Sequence, residues 1–333
     1  MQGKVMSQDN ASNIHDVGID VCKDWLDVHL MPANVAERFP NTKKGHLALI
    51  RLLKRHDVRR VLMEATGKLH RSVHERLHLA GYCTVVVNPS RSRKFAESIG
   101  TLAKTDKVDA RMLALFAGWN GHEATPPLDE NLANLQEIVR FRAASVAEKS
   151  MLANQRSSAA CAIIRKQIDR RVDRLEADVD ALEAAAMVIV GKDECLARRH
   201  RILTSIPGVA DVTAACLLAN LHELGSLSEK EAAMLAGLAP IACESGDTIR
   251  ARRIRGGRPE VRTGIFMAAV SAIQHNGPLK AVYDRLIANG KLGKVALTAV
   301  MRKLIVLANA LLKADRLWSL TPPKPAKIDV IHA

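Results

Sequence analysis

Val17-Gly18-Ile19-Asp20-Val21, followed by Leu26-Asp27-Val28-His29-Leu30, reads as a β-hairpin with Lys23-Asp24 near its turn. Asp20 is the exception in the first, otherwise apolar strand, and a lone carboxylate there is costly to bury without compensation. Asp24 and Asp27 have cheaper explanations, a turn and an exposed strand face.

The chain then alternates. Residues 42–56 predict a helix through Leu47, Ile50, Leu52 and Leu53. Arg60-Val61-Leu62-Met63-Glu64 is a short buried-type strand that ends in an acid before Ala65-Thr66-Gly67. A carboxylate at the carboxyl end of a strand is a usual place for a site residue in open α/β sheets. A charge at a helix N-terminus explains Glu64 equally well. Residues 70–80 predict a helix and 82–88 a strand, closed by Asn88-Pro89-Ser90. Arg91, Arg93 and Lys94 form a basic step toward Lys104-Thr105-Asp106-Lys107-Val108-Asp109-Ala110. That segment continues into an apolar-periodic helix through Met112, Leu113, Leu115 and Phe116. Asp106 and Asp109, three apart, share one helix face. They repel unless a cation lies between them or one takes a proton. Alternatively they belong to a solvated face with Lys104 and Lys107. Hairpin, helix, strand, helix, strand, helix is the order of a ribonuclease-H-type α/β sheet.

Thr125-Pro126-Pro127 marks a boundary. From residue 128 to about 200 the composition is helical, and Ile168, Val172, Leu175, Val179 and Leu182 alternate steps of four and three. An antiparallel or dimeric coiled coil fits this seam, as does a helical hairpin within one chain. Leu203 to Val209 breaks the helix at Pro207-Gly208 and suggests a helix-hairpin-helix, whose turn offers amides to a phosphate, or a plain helical corner. Arg250, Arg252, Arg253, Arg255, Arg258 and Arg262, with Gly256-Gly257 among them, suit a phosphate backbone. So many like charges repel unless something anionic is bound. Ser245-Gly246 just before them reads as a turn or as a nucleophile facing that cluster. Two amphipathic helices, residues 262–274 and 294–313, close the chain.

The balance of the 333 residues narrows the function. A net charge of +14 favours a polyanionic partner, while 3% aromatic residues disfavour base-stacking platforms. Hydrophobic residues make up 48% and charged residues 25%, a globular composition. No run is expected to reach the length of a membrane span, residues 1–13 lack the apolar core of a secretory signal, and six scattered cysteines form no CxxC pair. Asp20, Glu64, Asp106 and Asp109 are a four-carboxylate set suited to Mg²⁺, or to Mn²⁺ in its place. Two such ions about 4 Å apart stabilise both the attacking and the leaving oxygen of a phosphoryl transfer.

Val17 to Val28, Glu64-Ala65-Thr66-Gly67, Val87-Asn88-Pro89, Lys104 to Ala110, and Gly237-Leu238-Ala239-Pro240 with Ser245-Gly246 and Arg255-Gly256-Gly257-Arg258-Pro259 stand in one order. Together they resemble the DEDD transposases of the IS one-ten insertion-sequence family over residues 15–313. Two small departures are Lys68-Leu69-His70, where an aromatic-containing stretch is common, and Cys22, where a small Ser or Ala is common. The resemblance implies a flexible tail (1–14), a RuvC-like DEDD domain (15–124), a helical coiled coil (125–200), a mainly α-helical C-terminal transposase domain (201–315) and a tail (316–333). It implies that Asp20, Glu64, Asp106 and Asp109 bind metal and that Ser245 is the nucleophile of a covalent phosphoserine. Donor and target DNA, a noncoding bridge RNA, and a homodimer that pairs into a tetramer, with acids and serine from different protomers, are implied as well. So is a cytoplasmic, nucleoid-associated bacterial setting with no membrane partner. Arg91, Arg93, Lys104 and the six arginines from Arg250 to Arg262 are the candidates for nucleic-acid contact. Two competing expectations are a metal-dependent nuclease or junction resolvase in which Ser245 is structural, and a non-catalytic nucleic-acid-binding protein.

Overall fold

The computed structural model describes residues 14–100, 106–119, 121–242, 244–245, 248–249 and 253–320. For residues 106–108, 244–245 and 248–249 it describes the backbone alone. The chain divides into two compact units, residues 1–128 and 129–333.

The N-terminal unit is built on a five-stranded sheet in the order β3-β2-β1-β4-β5. Its strands are β1 (Ile14–Val21), β2 (Trp25–Met31), β3 (Val35–Pro40), β4 (Asp57–Glu64) and β5 (Thr84–Val87). The meander β1-β2-β3 is antiparallel, and β4 and β5 add parallel to β1. The sequence had suggested only the first two strands of that meander. β3 escapes the pattern because on this edge strand only Phe39 is buried, so the alternation that marks β1 and β2 is missing.

Period-two patterning divides the sheet between two helical layers. Val17, Ile19 and Val21 pair with Leu30, Val28 and Leu26, and all six face a core made with α1 (Lys43–Leu53) and α2 (Arg71–Leu79). The opposite face is covered by α3 (Pro89–Ser98) and α4 (Asp106–Ala117), where Leu62, Val85 and Val87 meet Met112, Leu113 and Phe116. Phe95 of α3 stacks on Phe116, ring centroids 4.5 Å apart. Each fully buried Leu or Val in these layers contributes about 1.5–3 kcal/mol.

Imidazoles buried in this unit make its stability depend on pH. Burial, with help from His74 and Arg71, pushes His70 from its ordinary value of 6.5 to about 4. Burial lowers His29, His46, His74 and His122 in the same direction. Between the unfolded value and the depressed folded value, the unfolded chain binds more protons. The stabilisation is therefore complete above pH 6.5 and is lost as pH falls toward 4. Thermal melts should show a midpoint that drops across this window, with a shallower drop for His70→Gln. A slope identical in wild type and variant would show that His70 does not carry it.

The C-terminal unit is helical. α5 (Glu130–Ser158) and α6 (Ala162–Lys192) pack along each other as a hairpin within one chain, joined by Arg142–Glu183 (2.7 Å) and Lys149–Glu176 (3.3 Å). The seam residues Ile168 and Val179 are buried. α7 (Glu194–Thr204), α8 (Asp211–Asn220), α9 (Glu229–Leu235), α10 (Pro259–His275), α11 (Gly277–Ala288) and α12 (Gly293–Lys313) complete the unit. Leu135, Val139, Ala186 and Val190 of the hairpin share one core with these helices, so the hairpin base is not a separate layer. α12 is long and apolar enough to cross a membrane by length and composition, contrary to the sequence expectation. Here its stripe of Val300, Leu304, Ile305, Ala308 and Leu311 is buried in that core.

The Pro207-Gly208 turn joins α7 to α8. Ile206 and Val209 are buried in the core, and the Ser205 hydroxyl accepts the Trp318 amide at 2.8 Å. Two short ribbons, β6 (Pro240–Ile241) with β9 (Arg253–Ile254) and β7 (Glu244–Ser245) with β8 (Thr248–Ile249), lie between α9 and α10.

Candidate active site

Gly18 decides where α4 lies. A Cβ at this position would overlap the Ala110 carbonyl oxygen and the Ala114 amide nitrogen, so only glycine lets the helix rest directly on β1. At the other end of α4, Gly118 comes close to the Asp16 carboxylate. The helix therefore runs antiparallel to β1, and its N-terminus, with Asp106 and Asp109, lies toward the carboxyl end of that strand.

Register brings two further acids to the same edge. Gly18 pairs with Leu62 and Ile19 with Met63, so Asp20 and Glu64 are the next neighbours along β1 and β4. Gly18 and Leu62 face α4, and a step of two along each strand keeps Asp20 and Glu64 on that face. Asp20 and Asp109 are half-buried, as is Glu64. The Asp106 side chain lies outside the described residues, and among the described residues no group of three His, Cys, Asp or Glu side chains is assembled closely enough to hold a metal. The donor chemistry, carboxylate oxygens alone, fits a hard divalent cation.

Three residues at this edge were not assigned roles from the sequence. Ser92 of α3 is fully buried, and its hydroxyl lies 2.5 Å from Glu64 Oε1, positioned to donate to that oxygen. A serine inside a basic helix gives no sequence signal for this, since the contact spans 28 positions. Asp27, expected on an exposed strand face, is instead 4% exposed. It sits directly opposite Asp20 on β2 and opposite Arg38 on β3. Arg38 holds it with both arms of its fork, Nε to Oδ1 at 2.8 Å and Nη2 to Oδ2 at 2.9 Å. The sequence reading placed Asp27 on an exposed strand face. It could not show that α4 covers that face too.

In the C-terminal unit, the arginines separate into two groups. Arg258 caps the start of α10 and grips Glu223 at 2.7 and 2.5 Å while donating to the Asn220 carbonyl at 2.8 Å. Burial would raise the Glu223 pKa, but the hydrogen bonds and charge of Arg258 outweigh it and hold the carboxylate below its usual range. Arg262 donates to the Gly256 carbonyl at 3.1 Å, and Gly257 packs against the Gly237 backbone so closely that a Cβ would overlap it. Arg258, Arg262 and the Gly256-Gly257 pair thus contribute to the fold itself. Arg253 and Arg255 are exposed, as are Arg91 and Arg93 on α3. Arg250, Arg252 and Lys104 lie outside the described residues. Ser245 pairs with Thr248 in the β7-β8 ribbon.

A transposase family model, DEDD_Tnp_IS110, matches residues 17–160, and a second, transposase IS116/IS110/IS902 family, matches residues 200–284. The pilin gene-inverting protein of Moraxella bovis is 26% identical over 312 residues, 90% of this chain and 96% of the relative. Its counterpart in Moraxella lacunata is equally similar. The insertion element IS110 uncharacterized 43.6 kDa protein of Streptomyces coelicolor is 33% identical over 114 residues, 34% of this chain and 28% of the relative. The first match begins at β1 and takes in the acid-bearing edge of the sheet, and the second takes in the Ser245 ribbon and the arginines around it. The chain belongs to the IS110 family of transposases.

Proposed function

We propose that this transposase cuts and rejoins DNA strands through the acids Asp20, Glu64, Asp106 and Asp109 and the nucleophile Ser245. The observation that carries this reading is the register that sets Asp20 and Glu64 side by side, on the face and at the edge where α4 begins with Asp106 and Asp109. Carboxylates gathered at one edge of a strongly basic protein serve poorly for gripping phosphate directly, and well for holding cations that do. Bound Mg²⁺ or Mn²⁺ would supply charge stabilisation at the attacking and leaving oxygens.

Asp20 and Glu64 would hold the cations from strands fixed in the sheet, and Ser92 holds one Glu64 oxygen in place. Ser245 Oγ forms a bond to the scissile phosphorus while the bond from phosphorus to the departing sugar oxygen breaks. The serine proton passes to a base, and the departing oxygen takes up a proton. The exposed Arg253 and Arg255, with Arg250 and Arg252, would hold the phosphate and its developing charge. Arg91, Arg93 and Lys104 would steer DNA toward the acids. A noncoding bridge RNA from the element itself would choose donor and target, and the protein would act as a dimer pairing into a tetramer, with acids and serine from different protomers.

The test is an adduct assay. The protein is incubated with Mg²⁺, the noncoding RNA flanking its own gene, and labelled donor and target DNA, then resolved under denaturing conditions. A protein–DNA adduct that disappears in Ser245→Ala is the expected result. Cleavage that survives Ser245→Ala without any adduct would overturn the serine chemistry and leave a metal-dependent nuclease.

A further inference from the structure

Trp25 stands one row beyond Asp20, at the edge of the sheet that carries the acids. Asp27 lies opposite Asp20, and Trp25 lies two residues along β2 from Asp27, toward the carboxyl end of β1. Leu26 and Val28 face the core made with α1 and α2, so alternation puts Trp25 on the other face, with Asp27, Asp20 and Glu64. Diagonal neighbours on paired strands are about 7–8 Å apart, within reach of an aromatic side chain. Trp25 is nevertheless 46% exposed. The other two tryptophans are occupied: Trp119 meets Phe95 edge-on, and Trp318 packs against the C-terminal core. Among the described residues no aromatic ring packs on Trp25.

The backbone beneath this ring is anchored. The Cys22 amide donates to the Trp25 carbonyl at 2.9 Å, which closes the turn. Asn41 spans that turn, its backbone amide donating to the Asp24 carbonyl at 2.8 Å and its side-chain Nδ2 to the Cys22 carbonyl at 2.9 Å. Asn41 Oδ1 is held in turn by the buried His46, whose Nε2 lies 2.8 Å away. An indole on an anchored turn presents a large flat face, and little freedom is lost when something docks on it. Lys23 and Asp24 beside it cancel in charge, so the ring is what the turn offers.

We infer that Trp25 stacks on a nucleobase of the DNA strand being cut, next to the phosphate that the acids engage. The inference rests on the reading of Asp20 and Glu64 as the cleavage site. A scarcity of aromatic residues excludes an extended stacking platform and leaves room for a single stacking point. Every base has a π-face, so this contact sets the register of the strand without choosing its sequence. Both faces of a base inside a duplex are covered by its neighbours, so the ring takes a base whose stack has been opened.

The full-length protein is titrated, without divalent metal, with a labelled single strand of donor DNA spanning the cut. Binding is followed by anisotropy of the label and by intrinsic tryptophan emission. Trp25→Ala should bind about tenfold more weakly, the loss expected of one base–aromatic stack. Trp25→Phe should recover most of the affinity, whereas Trp25→Leu, apolar but without a π-face, should not. DNA should quench part of the wild-type emission, and that part should vanish in Trp25→Phe. Abasic sites introduced one at a time should reveal a position next to the cut where wild type loses affinity and Trp25→Ala loses none further. Unchanged affinity in Trp25→Ala with unchanged quenching in Trp25→Phe would overturn the inference. So would an abasic scan without such a position, recovery by Trp25→Leu equal to that by Trp25→Phe, or quenching by the same strand made as RNA and not by DNA. Asp20→Asn runs beside them in a metal-dependent cleavage assay. Cleavage retained there would overturn the reading of the acids, and cleavage lost there without any stacking at Trp25 would overturn this inference alone.

Discussion

Asp20→Asn is expected to abolish DNA strand cleavage while leaving the protein folded. The substitution keeps the shape of the side chain and removes its charge. Asp20 is half-buried at the end of β1, outside the apolar cluster formed by Val17, Ile19 and Val21, so no packing is lost. Its neighbour across the strands is Asp27, whose charge is already countered by the forked ion pair with Arg38. Thermal stability should therefore change little. Catalysis should fall by at least about 10³-fold, because groups that act as one unit fail together when one is removed. The measurement is Mg²⁺-dependent cleavage of donor DNA beside a thermal melt of the same preparation. Activity within about tenfold of wild type, in a folded variant, would sink the assignment of the acid row, since a loss that small is less than removing a single transition-state donor costs.

Gly18→Ala is expected to fail for the opposite reason, through the fold. Its added Cβ would have to occupy the space of the Ala110 carbonyl and the Ala114 amide. These are backbone atoms in the middle of a helix and cannot swing aside as a flexible side-chain end would. α4 must move off the sheet, which opens the packing of Leu113, Met112 and Phe116 against Leu62. Overpacking of this kind costs about 3 kcal/mol or more, the upper end of what an inserted methyl group imposes. That is a large share of the stability of an ordinary domain. Circular dichroism melts should show a lowered midpoint for the N-terminal unit. Any folded fraction should bind Mn²⁺ poorly, because Asp106 and Asp109 travel with α4. A midpoint within a degree of wild type would show that α4 does not rest on β1 at Gly18.

The two substitutions sit two residues apart on the same face of the same strand and act through different physics. Gly18 has no side chain and sets a distance between strand and helix. Asp20 has a charge that no apolar neighbour can compensate. Nothing in the pattern Val-Gly-Ile-Asp-Val tells them apart except the residue types themselves, and those were enough to single out Asp20.

Residue type and period decided a good deal about this protein. Two short apolar runs around a turn in residues 16–30 specified the β1-β2 hairpin, and the amphipathic patterns of α1, α4, α10 and α12 specified helices, because both follow from local backbone geometry. Asp20 and Glu64 stood out as acids in apolar strands, and the order of the motifs was sufficient to name the family. Tertiary structure decided which polar residues meet. Asp27 looked solvated until α4 covered its face, and Arg38 became its partner only through the register of β2 with β3. Ser92 reached Glu64 across the layer between α3 and β4. Arg258 and Arg262 belonged by sequence to one basic cluster, yet Glu223 and the Gly256 carbonyl claim them for the fold. Burial along an element is written in the element's own period, whereas the pairing of charges depends on strand order and helix placement, which bring together residues that no local pattern connects.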